Sequence, residues 1–195
     1  MRRRIVLAAL CMSGLAAAAT PSEGVEQSLH RGFWAETDLG AFFTVGGHDR
    51  YSNAQTYLQL GVGDDVGEHL EVGVQFGLGA SNANCFSAGN ALNGTCSQSD
   101  NFTMTFVDLS ATYLVALSAR LYLTPMVLAG YTNLDPAPIA TSLASVQAAN
   151  VGAGVGIEYA TPLDHFSLGV DVTLRYVLSV NIPGVAVFPR VKYTF

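Results

Sequence analysis

Ten ionisable side chains fall on the polar set of alternating stretches in this chain: Glu36, Asp38, Glu71, Asp108, Arg120, Glu158, Asp171, Arg175, Arg190 and Lys192. Six acids against four bases suit a nearly paired interior network, because an ionised group buried without a partner costs several kcal/mol. Asp171 and Arg175 stand two same-face positions apart, so their partners are expected on neighbouring stretches. His165-Phe166-Ser167 places a potential base and a potential nucleophile two residues apart. An acyl-transfer site would also need an acid to orient the histidine, and His165 reads better as a turn residue, so no catalytic residue is assigned. His48 and Asp49 are too few to form an acid and histidine cluster. Cys85 and Cys96 sit in a Ser/Asn/Gly-rich stretch, and in an exported chain they are expected to form a disulfide. No histidine lies near them, Asn84, Ser97 and Asp100 read as loop residues, and neither a metal site nor a cofactor is expected.

The elements that must position these groups show a period of two. Phe33 to Val45 sets Phe33, Ala35, Thr37, Leu39, Ala41, Phe43 and Val45 against Trp34, Glu36, Asp38, Gly40 and Thr44. The same split recurs over Ala54 to Gly63, Leu70 to Ala80, Phe102 to Val115, Arg120 to Tyr131, Ala149 to Tyr159, Phe166 to Tyr176 and Val185 to Phe195. Leu70 to Ala80 is the cleanest, with Leu70, Val72, Val74, Phe76, Leu78 and Ala80 opposing Glu71, Gly73, Gln75, Gly77 and Gly79. Met104 and Phe106 blur the start of Phe102 to Val115. Pro125 requires either a bulge or a lost ladder bond. Inward glycines such as Gly152, Gly154 and Gly156 leave room for large residues of neighbouring strands.

Each charge within these stretches shares a face with the polar residues. A charge facing lipid at mid-membrane would cost about 2 to 4 kcal/mol, and lengths of about 10 residues suit a tilted strand that crosses a bilayer. Connections alternate between short (Asp64 to His69, Ala116 to Ala119, Ala160 to His165) and long (Gly46 to Asn53, Ser81 to Asn101, Thr132 to Val146, Leu178 to Gly184). The pattern predicts an all-β fold, an eight-stranded antiparallel up-and-down transmembrane β-barrel, with short turns periplasmic and long loops external.

The termini agree with export. Met1-Arg2-Arg3-Arg4, an apolar run from Ile5 to Ala18 and the small residues Ala16 to Ala19 form a secretory leader, with cleavage expected near Ala19. A lipoprotein reading of Cys11 is disfavoured because Leu10 stands where a small residue is needed. The expected organisation is a leader over 1–19, a periplasmic segment over 20–32 and the barrel over 33–195. Loss of the three arginines takes the charge from −6 to −9, which argues against nucleic-acid binding. Only 12% of residues are charged, yet no later stretch is long and apolar enough for a membrane helix.

A soluble barrel would reverse the alternation and bury its apolar face. Here Phe33, Tyr113, Tyr159, Phe166, Tyr193 and Phe195 fall at one end of that face and Phe43, Tyr131 and Tyr176 at the other, as two lipid-interface girdles require. The ending Val191-Lys192-Tyr193-Thr194-Phe195, with Val191, Tyr193 and Phe195 alternating, resembles the C-terminal signal recognised by barrel-insertion machinery. With eight strands, nearly the whole mature chain resembles the OmpA-type small barrels. Residues 31–40 (Arg31-Gly32-Phe33-Trp34-Ala35-Glu36-Thr37-Asp38-Leu39-Gly40) and 52–58 (Ser52-Asn53-Ala54-Gln55-Thr56-Tyr57-Leu58) are similar to the CglE-type gliding-motility barrels of myxobacteria. That resemblance implies a non-enzymatic component with motility or envelope protein partners, held in outer-membrane lipid. The alternatives are a narrow passive pore and, on a likeness of His165-Phe166-Ser167 to lipid A deacylases, a lipid A-modifying hydrolase. Those enzymes need an acidic partner and access near the external surface, whereas His165 and Ser167 fall at the periplasmic end.

Overall fold

The computed structural model describes residues 31–45, 52–80, 103–135, 146–179 and 182–195. Among the described residues there are nine antiparallel strand segments: β1 (Trp34–Val45), β2 (Ser52–Val66), β3 (Leu70–Ala80), β4 (Thr103–Tyr113), β5 (Val115–Ala116), β6 (Leu121–Asp135), β7 (Val146–Ala160), β8 (Phe166–Val177) and β9 (Ile182–Thr194). β5 continues β4 along the same neighbour, so the wall has eight staves. They run in chain order, and β1–β9 and β4–β6 pairing closes the sheet into a barrel. Closure leaves no open edge of unpaired backbone groups. Residues 67–69, 117–120 and 161–165 turn the chain at one end, here the short-turn end; the other connections lie at the long-loop end.

Alternation decides which side chain points where. Leu39, Leu60, Val74, Leu109, Val127, Val155, Val170 and Val191 are exposed on the outer surface, while Glu36, Gln59, Gln75, Asp108, Glu158, Asp171 and Arg190 are buried inside. Outward acids occur at the rims: Asp64 one step from the Trp34↔Gly63 pair, and Asp135 at the end of β6. Several staves reach further than expected at the long-loop end, where β6 runs to Asp135 and β7 starts at Val146. Their outward residues there are polar, and pairing satisfies their backbone groups whether or not the side chains meet lipid.

Both mid-strand prolines cost a piece of ladder and cause no bulge. β4 pairs with β6 down to Thr112↔Met126, and the same register resumes at Val115↔Leu123. Tyr113 and Leu114 fall in the gap opposite Pro125 and Thr124, because proline has no amide hydrogen to give its neighbour. The Leu114 amide faces the other neighbour and continues the β3–β4 register by donating to the His69 carbonyl at 2.7 Å. The β1–β9 ladder is interrupted in the same way between Asp38↔Arg190 and Ala41↔Val187, where Leu39 and Gly40 face Pro189 and Phe188.

The interior is not uniformly polar. Towards the long-loop end Phe42, Tyr57, Met104, Phe106, Leu134, Val177 and Phe188 form a buried apolar plug. Ring centroids lie 5.4 Å apart for Phe42 and Phe106, and 5.8 Å for Tyr57 and Phe188. Met104 and Phe106, which blurred their stretch, point inward because they belong to this plug. A smaller cluster of Leu114, Tyr122 and Ala160 fills the short-turn end. Glycines make the space: a Cβ at Gly63 or Gly73 would strike the Trp34 ring, and one at Gly152 or Gly154 would strike Leu128 or Met126.

Candidate functional site

The densest polar chemistry is the charged layer between these two apolar clusters. Glu158, on β7, is its hub. Both of its carboxylate oxygens face Lys192 Nζ, at 2.8 and 2.9 Å; Arg190 Nη2 approaches at 2.8 Å, and Ser167 Oγ donates at 2.6 Å. Lys192 also donates to Glu71 at 2.6 Å, which ties β9 to β3 across the lumen. Arg190 reaches Asp171 at 3.4 Å and Glu36 at 3.7 Å, and Glu36 accepts from Gln75 at 3.2 Å.

A second file runs from this layer towards the plug. Gln59 donates to Asp38 at 2.8 Å, Tyr57 hydroxyl donates to Gln59 at 2.6 Å, and Arg175 approaches that hydroxyl at 3.4 Å. Arg175 pairs with Asp108 at 2.7 Å and lays its guanidinium over the Phe106 ring, 3.9 Å from the centroid. The two polar files meet where Asp38 faces Arg190 across β1 and β9.

Nine of the ten expected interior residues are therefore buried in the barrel. Arg120 is the correction: it is exposed in the turn 117–120, one residue before β6 begins. Period-two alternation holds only while the backbone is extended, and at Arg120 the chain bends into the turn, so phase does not set its side. The interior count becomes six acids against three bases among the described residues. Asp108 and Arg175 form one pair, so five carboxylates share Arg190 and Lys192.

The histidine and serine of His165-Phe166-Ser167 are not brought together. Ser167 is bound to Glu158, while His165 sits in the turn with a positive φ of 71° and its Nδ1 lies 2.6 Å from the Thr194 carbonyl. The Nδ1–H tautomer donates there, and the His165 carbonyl accepts from the Thr194 amide at 2.8 Å. His165 thus clasps the last strand at the short-turn rim. Among the described residues no group of three or more His, Cys, Asp or Glu side chains is placed to hold a metal ion. Cys85, Cys96, His48 and Asp49 lie outside the described residues, as does the leader. Val191 and Phe195 face outward and Tyr193 is half-buried; Phe195 and Tyr193 rings lie 4.9 Å apart, and Phe33 meets Phe195 at 5.4 Å.

The plug residues were the part that alternation alone did not single out. Their signal was present as large apolar residues in the polar phase: Phe42, Tyr57, Met104, Phe106 and Phe188. Together with the charged layer they pack the described lumen, as an eight-stranded barrel is just wide enough for its side chains to fill.

No protein-family model matches the chain, and no curated protein matches it. Solved structures do. Neisserial surface protein A (NspA) is 15% identical with a TM-score of 0.63, covering 84% of this chain and 97% of that one. Ail, the attachment invasion locus protein of Yersinia pestis, is 12% identical with a TM-score of 0.51, covering 85% and 100%. A major outer membrane protein from Thermus thermophilus is 16% identical with a TM-score of 0.50, covering 84% and 98%. At these identities the shared property is the fold: a closed, eight-stranded antiparallel barrel of the small outer-membrane kind, into which the OmpA-type architecture fits broadly.

Proposed function

We propose that this chain spans the outer membrane of a Gram-negative cell as a non-enzymatic barrel and acts through its long-loop end as a structural or interaction component of the cell surface. The observation that carries the reading is the inversion of the wall: valines, leucines and aromatic rings are exposed while nine charged side chains are buried. In water that arrangement forgoes the hydrophobic effect; in lipid it gives each surface the surroundings it favours. Phe33, just before β1, and Phe43 on it stand ten residues apart, as do Phe166 and Tyr176 on β8, and ten residues of a tilted strand span about the 25 Å of an outer-membrane apolar band.

The filled lumen turns attention to the connections at residues 46–51, 81–102, 136–145 and 178–181. The likeness of fold to proteins described as a surface protein and an attachment invasion locus protein supports an adhesive role. The finer assignment to a gliding-motility assembly rests on the resemblance of residues 31–40 and 52–58. On this reading the leader is cleaved near Ala19, Val191, Tyr193 and Phe195 serve the insertion machinery, and a Cys85–Cys96 disulfide closes the 81–102 connection.

Cross-linking and pulldown from intact cells, with residues 81–101 present or deleted, tests the reading. The expected result is outer-membrane fractionation of both forms and loss of the cross-linked surface partner from the deletion alone. Recovery of the chain in the soluble periplasmic fraction would overturn it.

A further inference from the structure

We propose that the outer surface where β4, β6 and β7 run past the aromatic level binds the uncharged sugar headgroup of a membrane glycolipid, a proposal that rests on the membrane reading above. The amide side chains divide between the lumen and the outer surface. Gln55, Gln59, Gln75 and Asn150 are buried in the lumen. Asn133 and Gln147 are turned outward instead, and they stand directly opposite each other in the β6–β7 register. Thr105 flanks Asn133 on the other side, from β4. Three hydrogen-bonding side chains from three adjacent staves thus form one cross-strand row, and directly opposed residues on a sheet bring their Cβ atoms to about 5 Å. Among the described residues none of the three side chains has a hydrogen-bond partner.

The next outward row towards mid-barrel is Val107, Tyr131 and Ala149. Tyr131 is 71% exposed, so its ring offers an open face beside the amides. Tyr131 is also ten residues from Leu121, where β6 begins, so it marks the upper limit of the apolar band, and the Asn133 row lies in the headgroup layer. That surface is continuous with the lipid-facing wall. On the staves that flank it, Ala80 ends the outward face of β3 and Tyr176 that of β8.

Charge selects among headgroups. The shelf holds no lysine or arginine among the described residues, and the outward Asp135 of β6 lies one step beyond Asn133. A phosphate would meet a carboxylate and no cation. A neutral sugar presents hydroxyls that both give and take hydrogen bonds, which matches amides and a threonine hydroxyl, and its carbon face can lie on the tyrosine ring.

The test uses the full chain purified from membranes and reconstituted into vesicles of phosphatidylcholine alone, with digalactosyldiacylglycerol, or with phosphatidylglycerol. The expected result is a thermal unfolding midpoint several degrees higher with the galactolipid than in phosphatidylcholine, and no such rise with phosphatidylglycerol. The triple variant Thr105→Ala, Asn133→Ala, Gln147→Ala should lose the rise while keeping the phosphatidylcholine midpoint. If alanine lowers that midpoint too, the shape-matched pair Asn133→Leu with Gln147→Met is read for the same loss. Equal midpoints of wild type and variant in galactolipid, or an equal rise with phosphatidylglycerol, would overturn the proposal and leave the membrane reading intact. Failure of the wild type to insert into any of the vesicles would overturn both.

Discussion

Lys192 reaches across the lumen to two acids on different staves, Glu71 at 2.6 Å and Glu158 at 2.8 Å, and is itself almost wholly buried. Lys192→Met keeps the length of the side chain and removes the charge, leaving two buried carboxylates to share what Arg190 offers. The expected loss of stability is about 3 to 5 kcal/mol, measured by urea unfolding in lipid vesicles. Arg120→Met, by contrast, removes a cation from an exposed turn and should leave the unfolding midpoint unchanged. The contrast also marks what was legible at this scale. A period of two put Glu71, Glu158 and Lys192 on one face, but sequence spacing cannot say that residues 121 apart would touch. It also could not say that Ser167 would find Glu158 and His165 would find Thr194, because those choices depend on which staves are neighbours and how far each is offset.

At the scale of the strand, the register is held against two local conflicts. Pro125 and Pro189 each face a neighbour to which they can give no N–H, and in both places the pairing resumes without slippage. Register survives because a one-residue slip would turn Arg190 and Lys192 of β9 outward and, in β6, would exchange the inward Tyr122, Thr124, Met126 and Leu128 with the outward Val127, Ala129 and Tyr131, a far larger penalty than one missing bond. A bulge and a lost bond both satisfy the covalent constraint at Pro125, so the sequence does not choose between them. The Pro189 gap also lies beside Gly40, where a Cβ would meet the Phe188 side chain and the Val187 carbonyl oxygen. Gly40→Val should therefore push β1 from β9 at the seam that closes the barrel. The expected cost is about 1 to 3 kcal/mol, read as a lower midpoint in urea, with faster amide exchange at Val187 than at a residue on the opposite wall such as Leu109. Undiminished stability and exchange would mean that the seam is looser than the packing of Gly40 implies.

For the whole molecule, the alternation, the short terminal turns and the ring positions made the eight-stave architecture readable, while the filling of the lumen was only half readable. An interior of charged groups alone would have left the pore reading open, because a file of water can run beside ion pairs. Phe42, Tyr57, Phe106 and Phe188 interlock across the same lumen, with centroids 5.4 to 6.0 Å apart, and Arg175 is pinned between Phe106 and Asp108. An ion entering from the long-loop end would have to displace packed rings before reaching any charge, and from the short-turn end it would have to break the Glu158 hub. Planar-bilayer recording of the reconstituted chain should therefore show no discrete conductance at either polarity. Reproducible steps in the wild type would show that the plug opens and would shift the functional reading from the connections to the lumen. If steps appear only in a Phe42→Ala, Phe106→Ala, Phe188→Ala variant, the rings are the barrier, and the charged layer beneath them holds the wall together without sealing it.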